Sequence, residues 1–355
     1  MEKSDLRILH LMKSLNIGGT EKSTIVYSNY LAKYFVWIGI FAPQGFFSHK
    51  NIVNNSVQLI ESRKIHTINP VKIFSNFLQV SNIIKHKGIS IIHYHHRIYL
   101  PVIYLIRVSF PSVRIYYTHH CHFNDIINFF LIADRFIAVS KSTQDDLLKY
   151  GKKNITIINH GLLFSNLAEK KINFPKLNLG FIGRFDKVKG IKCILRSMSV
   201  LVNQEFGGKL ILRGEGRLCN YIKKFIFENK LNDRIIIKHP TSDINEMFED
   251  IDLLIAASSS IEGFGLVIIE AASVGIPVIA SNISSHSEII SDGVNGLLFK
   301  LDDIMDLSNK IIKISLDKTL YKNISMNSYE SAKKRFGLNN TIYCYKNLYS
   351  DSFSN

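Results

Sequence analysis

The chain has few cysteines and no apolar segment long enough to cross a membrane. Its four cysteines, which are far apart and form no CxxC pair, are Cys121, Cys193, Cys219 and Cys344. This pattern disfavours a disulfide framework or a cysteine-based zinc site and indicates reduced thiols in a cytoplasmic protein. The longest apolar stretches, 34–47 and 98–117, are interrupted by Gly, Pro, Gln or Arg, so we expect no integral membrane segment. The polar start predicts no signal peptide.

Acidic residues are scarce as well, and the deficit lies in the first half of the chain. The formal net charge is +15, and residues 1–171 carry 21 Lys and Arg against 9 Asp and Glu. Such a half is typical of a protein with an anionic partner, although solubility and a Lys-, Asn- and Ile-rich composition also explain it. No helix-turn-helix spacing, zinc ligand set or RNP-like aromatic signature is present, which disfavours nucleic acid.

The length of 355 residues predicts two domains, and strand and helix alternate twice along the chain. This alternation predicts an α/β fold with two doubly wound parallel sheets. We predict a first domain at 1–165, a polar linker at 166–176 and a second domain at 177–338. The predicted strands are 7–12, 35–42, 90–95, 113–118, 135–139, 155–158, 177–182, 209–212, 234–238, 252–257 and 277–280.

The most informative segment is 260–279, in which seven residues separate Glu262 from Glu270. It joins a predicted strand to a predicted helix at 265–273 through a Gly-rich loop, and unpaired N–H groups at such a helix start bind anions. Two carboxylates would repel a phosphate, so we expect them to bind neutral hydroxyl groups, as a sugar nucleotide requires. The alternative for Glu262 is a favourable charge at the positive end of the helix dipole.

Two further loops follow the first strand of each half. In the second half, Arg184 and Lys189 are five positions apart and could converge on one diphosphate, unless the loop is only solvated. In the first half, Gly18 and Gly19 precede a helix, where backbone can approach a ligand. They could equally form a simple turn. No third glycine completes GxGxxG, so a dinucleotide oxidoreductase is disfavoured.

Clustered histidines suggest a metal, but the pattern does not support one. The adjacent His119 and His120 would point to different sides of an extended chain, and no nearby acid or cysteine pair completes a zinc site. A second cluster, which either lines a ligand site or packs in the core, consists of His93, His95 and His96. Asp250 and Asp252 resemble a DxD metal motif, but they lack the oxygen-rich partners of a hard-cation cage.

The run from Glu262 to Ala271, Glu-Gly-Phe-Gly-Leu-Val-Ile-Ile-Glu-Ala, resembles the Glu-x7-Glu signature of retaining GT-B glycosyltransferases of the family 4 type. The resemblance implies two Rossmann-like domains that face a cleft, with the acceptor mainly on the first and the nucleotide sugar mainly on the second. It also implies that the last helix, 339–355, packs back onto the first domain. Ser258-Ser259, His160-Gly161 and Lys238-His239-Pro240 depart from the family pattern, and the last of these leaves the nucleobase open.

The same resemblance assigns roles to individual residues. Arg184 and Lys189 would neutralise the leaving diphosphate, Glu270 would bind the ribose, and Glu262 would hold sugar hydroxyls or act as the nucleophile. Through its Thr-x-His pattern, Thr118-x-His120 would place His120 near the sugar, with His119 as the rival. The residues expected to bind the donor are Gly18, Gly19, Arg184, Lys189, Phe264, Gly265, Leu266 and Glu270.

We therefore expect a retaining glycosyltransferase that uses a nucleotide-diphosphate sugar, with no metal and no other cofactor. Its expected acceptor is a glycan or a polyprenyl-diphosphate-linked glycan of a bacterial surface polysaccharide, either lipopolysaccharide or capsule. The basic first domain suggests a cytoplasmic enzyme that docks peripherally on the anionic inner face of the membrane. The alternatives are a nucleotide-sugar 2-epimerase of the same architecture and a basic nucleic-acid-binding protein.

Overall fold

The computed structural model describes residues 3–49, 54, 56–63, 69–167, 172, 174–259 and 262–351. The chain forms two compact units, the first comprising Met1–Gly161 and Leu338–Asn355 and the second Leu162–Gly337. The boundary lies after Gly161, so the predicted linker at 166–176 falls within the second unit; of that linker, 168–171 and 173 lie outside the described residues.

In the first unit, helices alternate with strands that pair in parallel throughout. The described strands form a seven-stranded sheet of order β3-β2-β1-β4-β5-β6-β7. The elements are β1 (Ser4–Leu11), α1 (Gly19–Leu31), β2 (Phe35–Ala42), β3 (Val57–Glu61), α2 (Pro70–Lys87), β4 (Ile91–Tyr94), α3 (Leu100–Ser109), β5 (Arg114–His119), β6 (Arg135–Ala138), α4 (Lys141–Lys149) and β7 (Ile155–Ile157).

Both faces of this sheet are covered, as its continuous apolar strands require. Successive side chains of β1 enter two different cores: Ile8 packs in one, and Leu9 and Leu11 pack in the other. The strand order reverses at β1, which pairs with both β2 and β4. In open parallel sheets, ligands bind beyond the carboxyl ends of the strands at this reversal.

The second unit repeats the arrangement with a parallel sheet of order β10-β9-β8-β11-β12-β13, counted over the described residues. Its reversal point lies between β8 and β11. The elements are β8 (Leu179–Ile182), α5 (Ile191–Asn203), β9 (Leu210–Arg213), α6 (Cys219–Glu228), β10 (Ile235–Lys238), α7 (Ile244–Phe248), β11 (Leu253–Ala256), α8 (Leu266–Ser273), β12 (Val278–Ser281), α9 (Ser284–Ser287), β13 (Leu297–Phe299), α10 (Ile304–Leu316) and α11 (Lys318–Phe336).

The final helix, α12 (Leu338–Asp351), belongs to the first unit. Its Ile342, Tyr345 and Tyr349 are buried in the same core as Ile8. Residues 352–355 of the predicted terminal helix lie outside the described residues. Among the residues that the structure describes, no helix combines the length and the apolarity that membrane crossing requires.

The predicted fold class, two doubly wound parallel sheets, is confirmed. Every predicted strand is present, although β1 begins at Ser4 rather than at Arg7. Two short strands, β3 and β13, were not predicted, and each lies at an edge of its sheet.

Candidate functional site

A group of polar side chains lies at the reversal point of the second sheet. The loop after β8 carries Arg184 and Lys189, and the loop after neighbouring β11 carries Glu262. The two loops are joined by a backbone hydrogen bond of 2.8 Å from Ser259 N to the Val188 carbonyl. The sheet topology therefore brings together segments that are more than 70 residues apart in the chain, as the Lys189–Glu262 separation of 73 shows.

The centre of this group is an ion pair between Lys189 Nζ and Glu262 Oε2. The Ser258 hydroxyl donates a hydrogen bond of 2.8 Å to the same carboxylate oxygen. Burial alone would raise the pKa of Glu262, but the Lys189 ammonium and the Ser258 hydroxyl oppose it and hold the pKa at about 2. Glu262 is therefore a carboxylate at neutral pH, and it accepts hydrogen bonds rather than donating them.

His286, which the sequence reasoning missed, lies beside this pair. Burial lowers the pKa of His286 to about 4, although the Glu262 carboxylate opposes the shift. Its Nδ1 lies 3.0 Å from the Ser281 carbonyl oxygen, so Nδ1 carries the proton and Nε2 has the lone pair. A Cβ added at Gly265 would lie 3.3 Å from that Nε2. The ring is therefore packed against the start of α8.

Gly190 explains how the lysine loop approaches β11. Its φ is +65°, a left-handed conformation, and an added Cβ would collide with the carbonyl of Ala257 at the end of β11. Only glycine satisfies both conditions. The residue after Lys189 is thus fixed by backbone sterics.

The start of α8 is close-packed and has no side-chain cap. Gly265 is the N-cap with φ of +93°, and Leu266 is the first helical residue. Phe264 is buried with its ring edge-on to Phe336 at 5.5 Å, and Glu270 is buried on the second turn of α8. Because no side chain caps it, the positive end of the helix dipole is available to a negative ligand.

The two predicted cations have different carboxylate partners. The Arg184 side chain is 67% exposed, and its Nε lies 3.6 Å from Asp186 Oδ2. The structure instead pairs Lys189 with a glutamate that the sequence had assigned to hydroxyl groups. The diphosphate role of Arg184 stays a prediction.

In the first unit, His119 and His120 have different surroundings. His119 is fully buried, and its Nε2 lies 2.8 Å from Asp146 Oδ2 while its Nδ1 lies 3.3 Å from the Tyr117 hydroxyl. His120 Nε2 lies 3.1 Å from His95 Nδ1, and its Nδ1 has no hydrogen-bond partner among the described residues. That nitrogen is buried, whereas both nitrogens of His119 have protein partners.

His120 is the end of a buried chain of imidazoles at the reversal point. His10 and His93 are paired in register on β1 and β4, and His10 Nδ1 lies 3.0 Å from His95 Nε2. Burial lowers the pKa of His10 to about 3 and that of His95 and His120 well below 6.5. These rings are therefore neutral at physiological pH. The ring of His160 stacks on His120 at 5.7 Å.

His93 is held by two hydroxyl groups rather than by a ligand. Its Nδ1 lies 2.7 Å from the Tyr349 hydroxyl, and its Nε2 lies 2.7 Å from Thr118 Oγ1. The threonine of the Thr-x-His pattern is thus used inside the unit. Of the other histidine in this cluster, His96, the Nδ1 caps its own turn by accepting from Ile98 N at 3.0 Å.

Three of these nitrogens, one each on His10, His93 and His95, lie within 4.8 Å of one another. The rings of His93 and His95 are nevertheless stacked, with centroids 4.3 Å apart and planes 28° apart. Imidazole lone pairs lie in the ring plane, so stacked rings do not direct theirs at one ion. The geometry fits a hydrogen-bonded chain better than a tetrahedral metal site.

The remaining predicted residues are placed as follows. Gly18 caps α1 in an extended conformation, and Gly19 is the first residue of that helix. A Cβ at Gly18 would collide with the Glu21 carboxylate, which accepts a hydrogen bond of 2.8 Å from Ser14 Oγ. The helix start thus has an acidic residue of its own beside it, a favourable charge there.

The two carboxylates of the DxD sequence have separate structural partners. Asp250 pairs with Lys238. Asp252 Oδ2 accepts a hydrogen bond of 2.9 Å from Asn178 N. They form neither a shared cage nor part of the group around Glu262.

Comparison with known families gives a match in each unit. Residues 17–162 match the family model "Glycosyltransferase Family 4". Residues 166–331 match the model "Glycosyl transferases group 1". Together the two models leave only 163–165 unmatched between residues 17 and 331.

Several proteins of similar sequence are named as glycosyltransferases. An uncharacterized glycosyltransferase of Methanocaldococcus jannaschii is 28% identical over 297 residues, with 81% of each chain covered. The capsular polysaccharide biosynthesis glycosyltransferase CapM of Staphylococcus aureus is 26% identical over 204 residues, which cover 56% of this chain and 53% of CapM. The match therefore spans only about half of CapM.

Among solved structures, HepE of Anabaena in complex with UDP and glucose has a TM-score of 0.83 at 20% identity. That match covers 97% of this chain and 99% of HepE. A glycosyltransferase of Rickettsia africae has a TM-score of 0.80 at 22% identity, with 99% of each chain covered. At these identities the likeness concerns the fold alone.

Proposed function

The chain belongs to the glycosyltransferase family 4 group and has the GT-B fold, and from this premise we propose that it is a retaining, metal-independent enzyme. It transfers a sugar from a nucleotide diphosphate to an acceptor hydroxyl. The observation that carries the proposal is the Lys189–Glu262 pair, which lies at the reversal point of the second sheet.

The leaving diphosphate needs positive charge, because cleavage of the glycosidic bond runs ahead of bond formation in an oxocarbenium-like transition state. Lys189 supplies an ammonium, and the uncapped start of α8 at Gly265 and Leu266 supplies backbone N–H groups. Arg184 is solvent-exposed at rest and can swing its planar guanidinium onto the phosphates. Gly18 and Gly19, at the start of α1, are assigned to the same phosphates.

The two glutamates bind hydroxyl groups. We assign Glu270 to the ribose and Glu262 to the transferred sugar. With a pKa of about 2, Glu262 is a strong acceptor for a sugar hydroxyl but a weak base. We therefore assign it to positioning of the sugar, with retention by front-face attack in which a diphosphate oxygen takes the proton. We assign His120 to the transferred sugar as well.

Metal independence has support from the chemistry of the donor set. Lys189 and Arg184 provide the charge that a divalent cation would provide. The only DxD carboxylates in the chain, Asp250 and Asp252, are bonded to Lys238 and Asn178. Chelation by EDTA is therefore expected to leave the rate of transfer unchanged.

The acceptor and location follow from charge and relatives. CapM is named for capsular polysaccharide biosynthesis, and we propose that this chain extends a glycan or polyprenyl-diphosphate-linked glycan of a bacterial capsule or lipopolysaccharide. The +15 net charge supports peripheral docking on the anionic inner face of the cytoplasmic membrane.

Thermal-shift measurement with UDP-, GDP- and ADP-sugars tests the donor, because a ligand raises the melting temperature only if it binds the folded state. HepE was solved with UDP, so we expect a UDP-sugar to give the largest rise. NMR of the product then reports the anomeric configuration. An inverted product, or no rise with any nucleotide sugar, would contradict the proposal.

A further inference from the structure

One segment of the first unit exposes apolar side chains to solvent and buries a polar one. Residues 126–130 form a short 3-10 turn with the sequence Ile-Ile-Asn-Phe-Phe. Its apolar side chains are exposed: Ile126 by 72%, Phe129 by 58% and Phe130 by 57%, whereas Asn128 is fully buried. A solvated turn would have the opposite arrangement, because apolar exposure costs free energy and Asn is mostly exposed.

The turn is held rigidly in this orientation. Asn128 Nδ2 donates a hydrogen bond of 2.9 Å to the Phe123 carbonyl, and Asn128 Oδ1 accepts one of 3.1 Å from Arg97. The Asp125 carboxylate accepts from Ile127 N at 3.1 Å and pairs with the same arginine. The outward apolar side chains are therefore not the result of a loose loop.

The apolar surface extends from the turn onto a neighbouring helix. Tyr104 of α3 donates a hydrogen bond of 2.8 Å to the Phe130 carbonyl, and Val108, one helical turn further along, is 82% exposed. We call this surface the apolar face; it consists of Tyr104, Val108, Ile126, Ile127, Phe129 and Phe130. Exposed apolar side chains grouped in this way mark an interaction site.

Lysines adjoin the apolar face. Lys152 Nζ donates hydrogen bonds of 2.8 Å to the carbonyls of Phe129 and Leu131, and Lys149 and Lys153 nearby in the chain are exposed. Among the described residues, neither Lys149 nor Lys153 has an ion-pair partner.

The exposed carboxylates of the same region are neutralised locally. Asp125 pairs with Arg97, Asp134 with Arg107 and Asp145 with Lys141. The surface around the apolar face thus has excess positive charge beside the exposed Phe129 and Phe130. Aromatic and aliphatic side chains beside lysines are the composition of an element that lies in a membrane interface.

We propose that the apolar face inserts into the interfacial region of an anionic lipid bilayer, with Lys149, Lys152 and Lys153 against the headgroups. The inference rests on the membrane docking of the proposed function and names the surface responsible. Charge complementarity favours anionic lipid over a zwitterionic surface.

Co-sedimentation of the full chain with vesicles tests the proposal, comparing phosphatidylcholine alone with phosphatidylcholine plus phosphatidylglycerol. We expect partition into the anionic vesicles and weakening at high salt. Phe129→Ser with Phe130→Ser should lower the partition coefficient at least about tenfold. The matched control is Phe227→Ser, whose phenylalanine is 76% exposed in the second unit and whose loss should have no effect.

Charge reversal isolates the headgroup contribution. Lys149→Glu with Lys153→Glu should lower partition into anionic vesicles at least about tenfold. Lys223→Glu with Lys322→Glu makes the same charge change at exposed positions of the second unit and should lower it much less. The variant Phe130→Trp should show a blue-shifted emission on anionic vesicles, beyond the constant signal of Trp37.

Three outcomes would overturn the proposal. They are no partition of the wild type even at low salt, equal partition by the Phe129/Phe130 double variant, and a dimer that this double variant dissociates without any vesicle binding. The last would assign the apolar face to a second copy of the chain. Because nucleotide-sugar binding is measured separately on the same proteins, loss of donor binding with intact partition would contradict the proposed function alone.

Discussion

The Nδ1 atom of His95 lies 3.1 Å from Nε2 of His120, and the other nitrogen of His95 lies 3.0 Å from Nδ1 of His10. A neutral imidazole has one N–H, so His95 donates to one neighbour and accepts from the other. If His120 donated, the chain would end in a buried N–H on His10 Nε2, which has no partner among the described residues. In the opposite polarity the N–H without a partner lies on His120 Nδ1, which is also buried, so the two polarities differ in whether His10 or His120 has the spare donor.

The hydrogen bond between His10 and His95 predicts different results for two substitutions of His10. His10→Asn keeps an amide near the position of Nδ1 and should retain activity within a few-fold. His10→Ala removes the hydrogen bond to His95 and should lower kcat about tenfold, the value of one buried hydrogen bond. Steady-state kinetics check this, and circular dichroism verifies that both variants fold. Equal kcat for the two variants would contradict a positioning role for His10.

Removal of the Glu262 carboxylate should abolish transfer and leave the fold intact. We expect Glu262→Ala to lower kcat at least about a hundredfold, because a contact that orients the reacting sugar is lost. The control is Glu228→Ala, whose carboxylate is exposed on α6 and whose loss should have no effect on kcat. Near-normal turnover by Glu262→Ala at an unchanged melting temperature would refute the assignment.

Lys189→Ala should weaken nucleotide affinity. A charge-assisted hydrogen bond contributes about 1.5–3 kcal/mol, so the dissociation constant for the nucleoside diphosphate should rise about tenfold or more. Lys187→Ala changes an exposed lysine of the same loop and is the matched control. Isothermal titration calorimetry measures both. Arg184→Ala should show a smaller loss of affinity. Unchanged affinity in both the Lys189 and the Arg184 variants would remove this loop from the phosphate site.

Acid should destabilise the first unit through its histidines. Burial holds the pKa of His10 at about 3, below its ordinary 6.5, so only the unfolded chain binds this proton between those values. Stability is therefore complete above pH 6.5 and falls as the pH drops toward 3. His10→Asn should reduce the slope by up to about 1.4 kcal/mol per pH unit. Urea unfolding followed by the fluorescence of Trp37 in β2 measures it; identical slopes would contradict the expectation.

Glu262 should add to the loss of stability in acid, in a lower pH range than His10. Its folded pKa of about 2 lies below the ordinary 4.5, so its stabilisation is present above pH 4.5 and is lost as the pH falls toward 2. Glu262→Gln should flatten the stability curve of the second unit in this window alone. A change above pH 5 would indicate a different titrating group.

Alanine substitutions at two glycines distinguish the cost of backbone strain from the cost of a steric collision. Gly293 has φ of +76°, and among the described residues no heavy atom lies within 4 Å of an added Cβ. Gly293→Ala should therefore cost about 1–2 kcal/mol of stability from conformation alone. Gly190→Ala adds a collision with Ala257 and should cost at least about 3 kcal/mol and also weaken donor binding. Denaturant titration measures the difference; equal costs would refute the close approach.

The sequence predicts the order of strands and helices well because fully buried parallel strands are continuous apolar runs, as in β1 and β11. It misses β3 and β13 because strands of five and three residues offer few positions for a periodic pattern. It misses His286 because nothing in Ser-His-Ser signals that the ring lies near Glu262. That proximity arises from the adjacency of β11 and β12, which only the sheet order determines.

The pairing of Lys189 with Glu262 could not be predicted from the sequence, for a related reason. The spacing of Arg184 and Lys189 predicts that both cations bind one diphosphate, and it gives no indication of a carboxylate partner. The carboxylate that pairs with Lys189 comes from a loop 73 positions later. The different surroundings of His119 and His120 also depend on the three-dimensional fold. Asp146 of α4 pairs with the ring of His119, and their separation of 27 residues in the sequence gives no indication of this contact.

The return of α12 to the first unit has a consequence for biosynthesis. Leu338, Ile342, Tyr345 and Tyr349 of α12 complete a core whose other buried members come from the first 160 positions, so that core stays open until α12 has been synthesised. The second unit, contiguous from Leu162 to Gly337, emerges whole before the last helix does. We therefore expect the half that is synthesised second to reach its native state first, and nascent chains that lack the final helix to depend on chaperones.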